Sequence, residues 1–310
     1  MTNNESSMEH GPRIGIAPDS WGVWNAVDTA QPLATQYLRE ISEAGYHFTE
    51  LGPYGYLGTD QVQLRDAFAE HDLSLSGGTI FTGLHTGMSA VAAAWAQVRE
   101  VASLTQALGG EHLIVIPQLW DRASDGNVIG NRDFTVAEWN LFLAGHDTLG
   151  KRLLEEFGLK QQFHSHAESP VGSYSEVVRL LDGTDSNFVN LCLDTGHFAY
   201  YHGDILRLIN AHPDRIGYLH LKQVAPDILA DVLKNDIDFA TAVQRGVMVE
   251  PPFGEPAYAP ILEAANRHTP GIFAIIEQDM YPLKDFDEPR RIAERTHQYI
   301  SACGTPARFR

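Results

Sequence analysis

The stretch Arg13-Ile14-Gly15-Ile16-Ala17-Pro18-Asp19-Ser20-Trp21-Gly22-Val23-Trp24, RIGIAPDSWGVW, holds the first strand candidate of the chain and the loop that leaves it. A doubly wound nucleotide-binding sheet would carry G-x-G-x-x-G at this turn, where glycines let the backbone approach a pyrophosphate. Two tryptophans, a proline and a valine stand there instead. The loop has no room to cradle a diphosphate, and that favours a closed barrel over an open sheet.

Outward from this stretch, short β-like runs alternate with longer helix-like segments to the end of the chain, the pattern of parallel βα units. The strand candidates are Arg13 to Ala17, Tyr46 to Leu51, Leu73 to Thr79, Glu111 to Ile116, Lys160 to His164, Phe188 to Asp194, Arg215 to His220 and Gly271 to Glu277. Helical stretches between them include Leu33 to Ala44, Val62 to Glu70, Ala90 to Leu108, Val136 to Phe157, Tyr174 to Leu181, Asp204 to Asn210 and Glu288 to Ala302, several closed by glycine. Eight alternations predict a single (β/α)₈ TIM barrel over residues 13–310. Residues 1–12 are expected to be a flexible N-terminus. The irregular segment 225–260, with Glu250-Pro251-Pro252-Phe253-Gly254-Glu255-Pro256, is expected to be an insertion or a lid.

Composition narrows the function classes. The formal net charge of −18 repels a nucleic acid backbone and an anionic membrane surface. No apolar run approaches the roughly 20 residues that span a bilayer, so no membrane association is expected. The two cysteines, Cys192 and Cys303, make a disulfide framework improbable, which points to a reducing cytoplasm.

In a barrel of this kind functional groups come from the C-terminal ends of different strands. Four polar residues terminate apolar runs there: His164, Asp194, His220 and Glu277. One strand-terminal histidine or aspartate is more often a cap or a solvent-facing residue than a ligand. Four on consecutive strands are read as a mixed N/O shell for one divalent ion, with Mn²⁺ first and Co²⁺, Fe²⁺ or Zn²⁺ as alternatives. Candidate catalytic groups surround them. His166 shares the side-chain parity of His164 and is the first choice of acid/base, with an ordinary histidine pKa, and Glu50 is the second. Lys222 shares the parity of His220 and suits a developing oxyanion, and His197 lies three residues past Asp194. Glu168 is expected to be solvated. Trp21, Trp24, Tyr54, Tyr56, Phe81 and Trp120 lie in loops after strands one to four, where they can stack on a ring or pack the rim.

The stretches FHSHAE (163–168), LCLDTGHFAYYHGD (191–204), INAHPDRIGYLHLKQV (209–224) and IIEQDMYP (275–282) resemble the xylose-isomerase-like barrel superfamily of sugar phosphate isomerases and epimerases, which includes inosose dehydratase. The resemblance covers nearly the whole chain and implies a single divalent metal on His164, Asp194, His220 and Glu277. A histidine-rich fifth strand is similar to that of inosose dehydratases. The loops PDSWGVW (18–24), GPYGYLGTD (52–60) and VEPPFGEP (249–256) depart from that pattern. The chain also resembles the catalytic metal-binding subunit of C-glycoside deglycosidases, which implies a small β-sandwich partner subunit; an oligomer is expected in either case.

The chemistry implied is enolisation of a keto sugar or keto polyol, with a base removing the proton beside the ketone. Loss of a β hydroxyl makes the enzyme an inosose-dehydratase-like lyase. Loss of an aromatic carbon from a 3-keto C-glycoside makes it a C–C lyase, and return of the proton elsewhere an isomerase or epimerase. A non-catalytic sugar-binding protein is the reading from another class, and a nucleic-acid repair enzyme lacks the basic groove it would need.

Overall fold

Eight parallel strands close on themselves in chain order in the computed structural model, which describes residues 10–124 and 126–310. They are β1 (Arg13–Ile16), β2 (Phe48–Glu50), β3 (Ser74–Thr82), β4 (His112–Pro117), β5 (Lys160–His164), β6 (Val189–Asp194), β7 (Ile216–Leu221) and β8 (Phe273–Ile276). The chain is therefore a (β/α)₈ barrel. The expected N-terminal flexibility concerns residues 1–12, of which 1–9 lie outside the described residues. β3 runs to Thr82, past the expected Thr79, because Ile80-Phe81-Thr82 continues the β-prone pattern and pairs with Val115, Ile116 and Pro117. Phe81 therefore stands on a strand end rather than in a loop.

The helices are α1 (Ala34–Glu43), α2 (Gln61–Glu70), α3 (Met88–Ala107), α4 (Val136–Phe157), α5 (Tyr174–Gly183), α6 (Thr195–Tyr200), α7 (Ile205–Ala211), α8 (Pro226–Lys234), α9 (Phe239–Gln244), α10 (Tyr258–His268) and α11 (Glu288–Ala302). In α4 the sequence determines both ends. Thr135 and Glu138 form a reciprocal capping box, and Gly158 closes the helix at φ 69°, a conformation that strains a residue with a Cβ. Trp139, Phe142, His146, Leu149 and Leu153, spaced three and four apart, bury one face against the barrel. Segment 225–260 is more regular than expected: α8 and α9 fold onto a small core of their own, with Leu229, Val232, Phe239, Ala242 and Met248 packed on Ala167 and Tyr200.

Register decides which side chains face the barrel axis. His164 pairs with Cys192, Asp194 with His220, and His220 with Ile275. Partners in a parallel ladder point the same way, and residues two apart on one strand share a face. His164, Asp194, His220 and, one step past β8, Glu277 therefore all project inward. They sit above a layer of Ala17, Ile114, Ile116, Cys192, Tyr218, Phe273 and Ile275 that fills the barrel.

Candidate metal centre

Among the described residues, His164, Asp194, His220 and Glu277 each offer a ligand atom within 4.8 Å of the others, and all four are buried. His164 Nε2 lies 3.3 Å from Asp194 Oδ2, and His220 Nδ1 lies 3.1 Å from Glu277 Oε2 and 3.8 Å from Asp194 Oδ2. Asp194 Oδ2 and His220 Nδ1 are buried without a hydrogen-bond partner. A buried acceptor left unpaired is unfavourable, and two imidazoles and two carboxylates converging on one point match the donor set of a single divalent cation. The residues fit such an ion.

Local folding aims each ligand. Asp194 ends β6 and caps α6: its Oδ1 accepts the His197 backbone N–H at 2.7 Å, so only Oδ2 is left facing the centre. His220 donates Nε2–H to Glu50 Oε1 at 2.8 Å, which turns Nδ1 toward Asp194 and Glu277. Glu50 Oε1 also accepts from the Tyr218 hydroxyl at 2.8 Å, and Glu50 Oε2 from Thr79 at 3.1 Å. Glu50 thus fixes the tautomer of His220, the role carboxylates commonly take behind a ligating histidine. Glu50→Gln is expected to weaken metal binding about 10–100-fold in calorimetric titration; an unchanged affinity would show that Glu50 does not orient His220.

Lys222 is only 2% exposed. Its Nζ lies 3.4 Å from Asp194 Oδ2, 3.1 Å from Glu277 Oε2 and 2.9 Å from Asp279 Oδ2, as well as 3.1 Å from His197 Nε2. Gly196 makes room for it, since a Cβ there would meet the Lys222 stem at 2.6–2.7 Å. Burial alone would discharge this lysine, but the surrounding carboxylates outweigh it and push its pKa well up. In return, although burial raises it, Lys222 and then His164 bring the Asp194 carboxyl down to about 2. Asp19 and Asp279 complete the acidic group, and both line the cavity. Neither is among the ligands or catalytic groups expected from sequence. Asp279 shares the parity of Glu277, the signal that singles out Lys222 from His220, whereas Asp19 reaches the site through a 3₁₀ turn, Pro18–Trp21, that strand parity does not address.

The rings of His166 and His197 are in contact, centroids 3.7 Å apart and tilted by 34°. The Nδ1–H of His166 donates to the Ala167 carbonyl at 2.6 Å, so its lone pair is on Nε2. His197 accepts the Ala167 N–H at Nδ1, 3.1 Å away. The ordinary pKa expected for His166 is not what its surroundings give: burial, then the neighbouring His164, pushes it down to about 3, so the ring is neutral at pH 7.

These groups open into a cavity of about 460 Å³, a volume ordinary for a small-molecule site. Trp24 and Tyr54 from loops and Phe81 from the end of β3 line it, together with Phe239 from α9, which packs edge-on against His166 with centroids 5.2 Å apart. Trp21 and Tyr56 do not reach it. Trp21 is fully buried and donates to Glu40 at 2.8 Å, and the Tyr56 hydroxyl donates to the Pro32 carbonyl at 3.1 Å. Trp120 lines a smaller neighbouring cavity and lies under the Arg132 guanidinium. Glu168 is not solvated: it is 9% exposed and paired with Arg122, which also reaches Asp236.

A family model described as Xylose isomerase-like TIM barrel matches residues 38–303. An inosose dehydratase of Geobacillus kaustophilus is 30% identical over 299 residues, covering 93% of this chain and 93% of that protein. Among solved structures, an L-ribulose 3-epimerase superposes with a TM-score of 0.69 at 18% identity, covering 94% of each chain. The IolI protein, solved with a bound zinc atom, superposes with a TM-score of 0.67 at 13% identity, covering 93% of this chain and 97% of that one. The chain is an enzyme, which sets aside the non-catalytic sugar-binding reading. No helix among the described residues is long and apolar enough to cross a membrane.

Proposed function

Because the chain belongs to the xylose isomerase-like TIM barrel family, we propose that this enzyme is a divalent-metal-dependent lyase acting on a keto polyol or keto sugar, removing a proton beside the ketone and expelling the β hydroxyl. The observation that carries this reading is the convergence of His164, Asp194, His220 and Glu277 in a cavity that also holds His166, whose Nε2 carries a lone pair. The inosose dehydratase relative supports dehydration as the outcome.

In this reading the four converging side chains hold the ion, with Mn²⁺ first to be tested on a half-carboxylate shell. A bound divalent cation would polarise the ketone and stabilise the enediolate. His166 takes the proton on Nε2, its ring held in the required tautomer by the Ala167 carbonyl. Glu50 is the second choice of base, although its contacts with His220 and Tyr218 favour an orienting role. Lys222 faces the developing oxyanion, and His197 buttresses the ring of His166. The two cysteines are free, in keeping with a cytoplasmic setting, and an oligomer remains the expected assembly.

A specific observation favours C–C cleavage of a 3-keto C-glycoside as the second reading. Tyr54, Ile80, Phe81, Ile116 and Leu119 form an apolar wall of the cavity, a surface on which an aromatic aglycone can rest. That reading carries with it the small β-sandwich partner subunit. Incubating the Mn²⁺-loaded enzyme with a 2-keto-inositol and, separately, with a 3-keto C-glucoside distinguishes the two by product mass. Loss of water from the first supports dehydration, release of free aglycone from the second supports C–C cleavage, and an isomer of unchanged mass that chromatography resolves from the substrate supports an epimerase. Turnover of neither by metal-loaded protein overturns both lyase readings. His166→Ala is expected to lower turnover about 10²–10⁴-fold with metal content unchanged, and a variant as active as the parent would remove His166 from the mechanism.

A further inference from the structure

Asp279 touches both halves of the cavity. Its Oδ2 is 2.9 Å from Lys222 Nζ, which in turn lies against Asp194 and Glu277, while its Oδ1 accepts the Trp24 indole N–H at 3.1 Å. Trp24 is itself held in a stack, centroids 5.1 Å from Tyr281 and 6.3 Å from Phe239, both nearly parallel. The carboxylate is 7% exposed and lies beside the cavity, so it does not sit on the surface as a solvated charge. One short side chain therefore joins an aromatic wall, where a substrate ring can rest, to the lysine that neutralises two of the four converging ligands.

We propose that Asp279 is a positioning residue that couples the Trp24 wall to the metal centre, holding Lys222 away from full contact with Asp194 and Glu277 so that both carboxylates remain available to the cation. The proposal rests on the metal-centre reading. Two cations compete for the same oxygens: Asp279 makes the shortest of the ion pairs of Lys222, and without it the ammonium leans on Asp194 and Glu277, with Asp19 as the other nearby carboxylate, and opposes the divalent ion directly. With Asp279 present, arrival of the ion shifts Lys222 toward Asp279, and the change reaches the Trp24 indole through the same carboxylate.

Three variants separate the links. Asp279→Asn keeps an oxygen for Trp24 but carries no charge for Lys222. Trp24→Phe removes only the indole N–H, and Asp279→Ala removes both. The full-length protein is titrated with Zn²⁺, which does not quench paramagnetically, by calorimetry and by tryptophan fluorescence in parallel. The parent chain is expected to change its fluorescence in step with Zn²⁺ binding. Trp24→Phe should bind Zn²⁺ within about twofold of the parent and lose that signal. Asp279→Asn should bind about tenfold more weakly, as groups behind ligands often dictate, and lose the signal although Trp24 is still present. Asp279→Asn with the parent's affinity and the parent's signal overturns the coupling while leaving the metal centre standing. A parent chain that binds no Zn²⁺ overturns the metal-centre reading and the coupling with it. Should Asp279→Ala fail to fold, the other two variants decide the matter.

Discussion

His164→Ala is expected to yield a folded protein with less than about a tenth of the parent's bound metal and turnover lower by about three orders of magnitude, since loss of the Lewis acid removes several kcal/mol of stabilisation from the developing charge. His164 is 1% exposed, and its ring is in contact with those of His166, His197 and His220. Removing it deletes one of four donors, and the remaining Asp194, His220 and Glu277 include both carboxylates, so adventitious cations can still visit. Metal analysis after extensive dialysis is therefore the measurement, with circular dichroism to establish that the barrel persists. Glu277→Ala serves as the companion variant from a different strand end. Unchanged metal content in both variants would sink the assignment of the site. Full activity in a metal-free His164→Ala would sink the mechanism while leaving the geometry intact.

The inward set is legible in the sequence because strand parity and barrel topology need only local information. β5 ends at His164 as expected, and β6, β7 and β8 place Asp194, His220 and Glu277 on the inner face; the register of β6 against β7 shifts between Leu191 and Cys192, below the site, and from Cys192 onward the pairing runs in step. Asp279 is open to the same parity argument, although the sequence expectations do not include it. What is not legible depends on partners distant in the chain. Glu50 reads as a second choice of base from sequence; its contacts to Tyr218 and His220 span 168 and 170 residues and carry no local signal. Glu168 reads as solvated because Arg122, 46 residues away, gives no local signal. The low pKa of His166 comes first from burial, with α9 packed over the ring, which FHSHAE does not show, and then from His164. Segment 225–260 differs from expectation for another reason. Its prolines and glycines mask two short helices, which are stabilised by packing more than by propensity.

Lys222→Met is expected to destabilise the metal-free protein strongly and the metal-loaded protein much less. The methionine stem replaces most of the lysine's volume, so the change is chiefly electrostatic. Removing one partner of a buried charge cluster typically destabilises by about 3–5 kcal/mol, because Asp194, Glu277 and Asp279 would be left facing one another without their shared cation. A divalent ion on Asp194 and Glu277 resupplies that charge, so saturating Mn²⁺ should recover most of the lost thermal stability while leaving turnover about 10²-fold or more below the parent if Lys222 also faces the oxyanion. The pH dependence has a definite sign. The Asp194 carboxyl sits at about 2 in the fold, below its usual 3.8, so its contribution to the metal-free parent is whole above pH 3.8 and is lost as pH falls toward 2. Lys222 is raised instead, so its contribution is whole below its ordinary pKa and is lost only as alkali approaches the elevated one. In Lys222→Met the leading attraction that holds Asp194 down is gone, and the acid transition of the metal-free variant should begin at higher pH than in the parent. Thermal melts with and without Mn²⁺ between pH 3 and pH 8 check both expectations. Equal metal-free stability of variant and parent across that range would show that Lys222 is not the counter-ion of the cluster, and equal turnover would remove it from the oxyanion role.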